Sequence, residues 1–246
     1  GTEILRGEAP WRILKHGRKR SVIMHSPEYV GGIAWHLFLD PETHHASLRL
    51  HPDFVDDHGP LALLWHPHLR PIDQMLLMYN FASTGGAMLH AASAIFAGHG
   101  VVFLGRSGVG KSTIARQILS SRFGATIIND EGAVVRRTRA GFDLYGTPWP
   151  SSLRIASDHK APLNCLFFLQ QDKMDTIEEL APAAALERLL PVSQVPWYDQ
   201  EYMDPILATL EKLVATVPAY LLRCEKGFGV VDLIQQHVSD FQKVPA

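Results

Sequence analysis

The chain has 246 residues, 46% of them hydrophobic and 20% charged, with a formal net charge of −2. That length suits one large α/β domain, or a main domain with a small appendage. The near-neutral balance, with no basic stripe, gives no reason to expect a nucleic-acid partner.

In chain order, residues 3 to about 60 read as a small β-rich section. Arg12 to Leu14, Ser21 to Met24, Gly32 to Leu39 and Ala46 to Leu50 are strand candidates separated by Pro, Gly and Asp clusters. The short basic run from Lys15 to Arg20 reads as a solvated turn. His44, His45, His51, His58, His66 and His68 crowd this half, but their spacings match no metal signature. Pro71 to Ala82 reads as a helix with proline in its first turn. Ala87 to Phe96 reads as one strand, turned by residues 97–100 into an antiparallel partner, Gly100 to Gly105.

A glycine-rich stretch follows: Gly105, Arg106, Ser107, Gly108, Val109, Gly110, Lys111, Ser112 and Thr113. It fits G-x-x-x-x-G-K-[ST], in which small residues let successive backbone N–H groups turn inward to phosphate oxygens. Lys111 adds positive charge at the outer phosphates, and the Ser112 hydroxyl suits Mg²⁺. Ile114, Ala115, Ile118 and Leu119 then recur at helical spacing, and Gly124 is a stop signal. The order strand, glycine loop, helix is the one a nucleotide phosphate loop requires.

Ala125 to Asn129 reads as a strand that ends in Asp130 and Glu131. A strand–helix–strand crossover brings both strand ends to one edge of the sheet, so these carboxylates arrive beside the phosphates. One can hold Mg²⁺ and the other accept a proton from an attacking hydroxyl; either can instead cap a turn. His90, just before the loop strand, is open between a phosphate contact and a core histidine. Further on come a hairpin (residues 133–146), a proline-rich loop (146–152), a central strand (163–170), helices at 182–190 and 204–217, a strand at 218–223 and a last helix at 229–238. Cys165 and Cys224 lie among apolar neighbours and read as buried thiols, which fits a cytoplasmic protein. No apolar run is long enough to span a membrane, and no signal-peptide pattern is present.

From about residue 70 onward the chain resembles the HPr kinase/phosphorylase superfamily, whose core is related to phosphoenolpyruvate carboxykinase. The resemblance rests on Leu89 and His90 before the loop, the phosphate loop itself, Asn129-Asp130-Glu131 soon after it, Gly146 to Trp149, and the strand from Leu163. It implies a P-loop kinase core with a mixed sheet flanked by helices (residues 71–246), which follows the small β-rich N-terminal appendage (residues 1–70) read above, where HPr kinases carry a larger, different domain. It also implies ATP and Mg²⁺, with Asp130 as the acid/base group, Glu131 supporting the metal with Ser112, and His90 and Lys111 near the phosphates. The short N-terminal part is closer to compact HPr-kinase-like proteins, some of which phosphorylate a serine of lasso-peptide precursors. The expected activity is therefore transfer of a phosphoryl group to a serine of a peptide or protein. The alternatives are a kinase of a small hydroxyl metabolite and a nucleotide-binding regulator with little turnover. HPr kinases form hexamers, so the resemblance is compatible with a homo-oligomer. The 146–152 loop is either a wall of the acceptor site or a structural turn.

Overall fold

The computed structural model describes residues 1–6, 10–56, 63–64, 69–122, 124–149, 152–225 and 229–240. His58, His66 and His68 lie outside the described residues, as do Pro150 and Ser151 of the proline-rich loop. The chain packs as two units, one of Gly1–Thr84 with Pro196–Asp204, the other of Gly85–Val195 with Pro205–Ala246.

In the first unit β1 (Thr2–Arg6), β2 (Trp11–His16), β3 (Lys19–His25), β4 (Ile33–Asp40) and β5 (His45–Leu50) form an antiparallel meander in that spatial order. Its pleat is one-sided: Trp35, Leu37 and Leu39 of β4 are buried, while His36 and Phe38 between them are half-exposed. A short pair, β6 (Val55–Asp56) and β7 (Leu63–Leu64), precedes helix α1 (Leu69–Thr84). α1 buries Ile72, Met75 and Tyr79, one stripe at helical spacing.

The basic run of residues 15–20 is not wholly the solvated turn expected of it. Arg20 is fully buried, and its guanidinium donates to both carboxylate oxygens of Asp199 and, at 2.9 Å, to Glu201. The Tyr79 hydroxyl donates to Asp199 at 3.2 Å, and the guanidinium carbon lies 4.7 Å from the Tyr202 ring centre. Burial alone would pull the Arg20 pKa down; the hydrogen bonds to Asp199 and Glu201 outweigh it and raise it.

The second unit holds β8 (Gly86–Leu89), β9 (Ala91–Phe96), β10 (His99–Leu104), α2 (Lys111–Ser120), β11 (Thr126–Asn129), β12 (Ala133–Arg137), β13 (Phe142–Tyr145), β14 (Lys160–Gln171), β15 (Thr176–Glu179), α3 (Pro182–Leu189), most of α4 (Gln200–Thr216), β16 (Ala219–Cys224) and α5 (Gly229–Asp240). The strands form a mixed sheet in the order β11-β9-β10-β14-β13-β12-β8, with β16 also beside β14 and β15 beside β16. β14 is 12 residues long and is shared along its length. Its first residues pair antiparallel with β13, and later ones pair parallel with β10 and β16. The α/β architecture expected from the sequence, a mixed sheet flanked by helices with a separate antiparallel N-terminal sheet, is the one found.

Two local expectations are corrected. The strand read across residues 87–96 divides at His90, because β8 pairs with β12 whereas β9 pairs with β10 and β11. The turn after β9 is the two-residue loop Ala97-Gly98, both with positive φ (47° and 89°), so Phe96 stands opposite His99. β10 and β11 are each antiparallel to β9, so they run the same way with β9 between them, and their C-terminal ends reach one edge.

α2 and α5 cover one face of this sheet. Ile114 and Ile118 from α2 and Val230, Ile234 and Val238 from α5 pack with Phe103 and Phe167, whose rings stack 5.7 Å apart. Cys165 and Cys224 are free buried thiols in this layer, and burial pushes both pKa values up. Among the described residues no helix is long and apolar enough to cross a membrane.

Candidate functional site

The site begins where β10 ends. After the buried Leu104 the chain turns through the glycine loop, and Gly110, at φ 121°, is the residue from which α2 starts. That conformation strains any residue with a Cβ, which accounts for glycine there. No side chain caps the helix. Its ladder opens with Ile114 N–H donating to Gly110 O at 2.9 Å, so the amides of residues 111–113 precede the first intrahelical bond. These amides and the helix dipole make the loop's mouth a positive end suited to an anion. The Gln171 amide, at the end of β14, braces the loop by donating to Gly108 O at 3.3 Å.

Lys111 is itself buried and folds back on the loop, its Nζ donating to Gly105 O at 2.7 Å and to Arg106 O at 3.1 Å. Partial desolvation lowers its pKa, while the Glu131 charge opposes that shift. An arriving polyphosphate would favour the charged ammonium further.

β11 delivers the acidic residues, and a buried amide holds them. The Asn129 side-chain oxygen accepts from the N–H groups of Glu131 (2.8 Å) and Gly132 (2.9 Å), closing a tight turn around Asp130. The other end of the same side chain donates to Thr147 Oγ1 (2.9 Å), Trp149 O (3.1 Å) and Ile155 O (3.4 Å). One fully buried residue thus ties the carboxylate turn to the 147–155 segment. Gly146 lets that segment fold close, since a Cβ there would run into the carbonyl oxygen of Ser157.

Asp130 is almost fully buried, and Ser152 Oγ donates to its Oδ2 at 2.8 Å. Glu131 O accepts from Ala91 N–H at 3.2 Å and lies 3.1 Å from His90 Nδ1. A carbonyl only accepts, so Nδ1 carries the hydrogen and Nε2 is the basic nitrogen of the neutral ring. The His90 N–H donates to Val192 O at 2.7 Å, which places the ring at the break between β8 and β9.

Of the residues picked out from the sequence, His90, Ser107, Gly108, Gly110, Lys111, Ser112, Thr113, Asp130 and Glu131 line one open cleft of about 370 Å³, and Ser152 lines it too. Gly105, Arg106 and Val109 instead line a second cleft of about 590 Å³, together with Ser107, Gly108 and the ends of β14 and α3. Sequence reasoning missed Asn129 and Ser152 as individual residues. The signal for Asn129 was an asparagine immediately before a turn; Ser152 was legible only as part of its loop.

The model of the family described as SynChlorMet cassette protein ScmC matches residues 71–232, well over half of the chain. The chain belongs to the ScmC family. The ScmC span takes in every residue of the first cleft, from His90 to Ser152. None of the curated proteins matches the sequence. Among solved structures, the chain is similar to the Hpr(Ser) kinase/phosphatase from Coxiella burnetii, 13% identical with a TM-score of 0.38, over 63% of this chain and 95% of that one.

Proposed function

We propose that this ScmC protein is an ATP- and Mg²⁺-dependent kinase that phosphorylates a serine hydroxyl of a peptide or protein. The observation that carries the reading is the meeting, in one cleft, of an uncapped helix start behind a glycine loop with Lys111, Asp130 and Glu131. A pure nucleotide binder needs the loop but not a buried carboxylate hydrogen-bonded to a hydroxyl. The motif resemblance to HPr kinases supports serine as the acceptor, and the short N-terminal part, closer to compact HPr-kinase-like proteins, supports a peptide.

The donor set fits the ligands. Ser112, Asp130 and Glu131 offer hard oxygens of the kind that hold Mg²⁺ together with phosphate oxygens and water. The metal would screen charge on the outer phosphates. The loop amides and the start of α2 hold the phosphates, and Lys111 neutralises the group in transfer. Asp130 accepts the proton of the acceptor hydroxyl; its Oδ2 already accepts a hydrogen bond from the Ser152 hydroxyl. His90, with its Nδ1–H on Glu131 O, holds the turn that carries both carboxylates.

Mass spectrometry of the protein with Mg²⁺, ATP and serine-containing peptides tests this, alongside nucleotide affinity by calorimetry. The expected result is one phosphate on a peptide. In Asp130→Asn transfer falls by about 100- to 10,000-fold, the usual weight of a general base, with ATP affinity kept. In Lys111→Ala both transfer and affinity fall. An equal loss of affinity in Asp130→Asn, or ATP bound with no peptide modified, overturns the reading.

A further inference from the structure

Ser152 presents a hydroxyl to the carboxylate that the kinase reading makes the proton acceptor. Its Oγ donates to Asp130 Oδ2 at 2.8 Å, and it lines the same cleft as Lys111 and the start of α2. The placement is built in. Trp149 O and Ile155 O, on either side of Ser152, are both held by the Asn129 side chain, the residue immediately before Asp130. The hydroxyl and its carboxylate partner are therefore fastened to one another through a fully buried amide. Asp130 is buried whereas Ser152 is exposed, so the serine presents its oxygen from the open side of the cleft.

From this we infer that Ser152 is a self-phosphorylation site, modified in cis by the nucleotide held in its own phosphate loop. The inference rests on the kinase reading above and adds a second acceptor to it. In the step, the Ser152 Oγ–P bond forms as the bond from the γ-phosphorus to the β,γ-bridging oxygen breaks. ADP leaves with that electron pair, and the hydroxyl proton passes to Asp130 Oδ2. The products are ADP and phosphoserine, and no further reactant is needed.

The test is incubation of the full chain with Mg²⁺ and ATP and no peptide, followed by intact mass and site mapping. One added phosphate on Ser152 is expected, at a rate independent of protein concentration. It is absent in Ser152→Ala and in Asp130→Asn and restored on the new hydroxyl in Ser152→Thr. Since Ser152 is exposed, the alanine variant should fold, and unchanged circular dichroism and ATP affinity verify that. Phosphate on other residues with Ser152 bare overturns the inference, as does a rate that rises with protein concentration. ATP bound with Ser152 unmodified also overturns it, and a peptide phosphorylated when one is then added leaves the kinase reading standing. Failure to bind ATP at all overturns both.

Discussion

Asn129→Asp is nearly isosteric, yet it should be among the most damaging single changes in the second unit. The substitution keeps the oxygen that accepts from Glu131 N–H and Gly132 N–H. It turns the other end from a donor into an acceptor facing Trp149 O and Ile155 O. Thr147 can rotate its hydroxyl to donate instead; the two carbonyls cannot. Removing the donor to the buried Trp149 O costs about 1–3 kcal/mol, and the part-buried Ile155 O adds less. A loss of about 3 kcal/mol is a large share of an ordinary stability of about 5–15 kcal/mol. At about 2 kcal/mol per M, it lowers a urea midpoint by about 1.5 M, read by tryptophan fluorescence. The new carboxyl is buried and faces two carbonyl oxygens, which raises its folded pKa above the ordinary aspartate value of about 3.9, against the lowering effect of its two N–H bonds. The deficit is therefore full at neutral pH and narrows as the pH falls through that raised value. A midpoint within about 0.3 M of wild type, or a deficit that grows on acidification, refutes the role given to Asn129.

Two further predictions concern the first unit. Arg20→Ala strands the buried Asp199 carboxylate and should cost about 3–5 kcal/mol in urea unfolding, while Arg20→Met with Asp199→Leu should cost less than either single change; a milder single mutant removes the case for the pair. Glu201 is held below the ordinary glutamate range, mainly by its hydrogen bond from Arg20 and also by Lys15, against the opposing effect of burial. Its contribution is present above the usual value of 4.5 and is lost as the pH falls through the lowered one. The melting difference between wild type and Glu201→Gln should thus shrink below pH 4.5, and a difference constant across that range speaks against the assignment.

Much of the second unit was legible because its signals are local. Gly105, Gly110 and Lys111 announce the loop, Ile114, Ala115 and Ile118 the helix behind it, and an apolar run ending in Asp130 the strand beside it. What was hidden depends on distant pairing. Nothing in the small apolar residues from Ala87 to Phe96 marks a break, because His90 divides them only through the different partners that β8 and β9 take. β15 was missed since Glu178 and Glu179 are exposed, which blurs the alternation. The start of α4 was missed because Gln200 and Glu201 are polar and Pro205, which lies inside the helix, reads from sequence as a sign of its start. The Asn129 amide donor and the Ser152 hydroxyl reach partners 18 to 26 positions away, beyond any motif. Arg20 looked like one more surface cation, since its carboxylate lies 179 positions away.

That last separation has a temporal side. Asp199 leaves the ribosome about 115 residues after Thr84, the end of the first unit's opening segment. At about 5–20 residues per second, the nascent meander waits about 6–23 s for the carboxylate that completes it. Throughout that interval Arg20 lacks the carboxylate that pairs with it in the fold, so burying it would carry the cost of an unpaired charge. The phosphate loop, β11 and β14 emerge during the same wait and β16 and α5 only after it, so each unit is completed only once much of the other has been made.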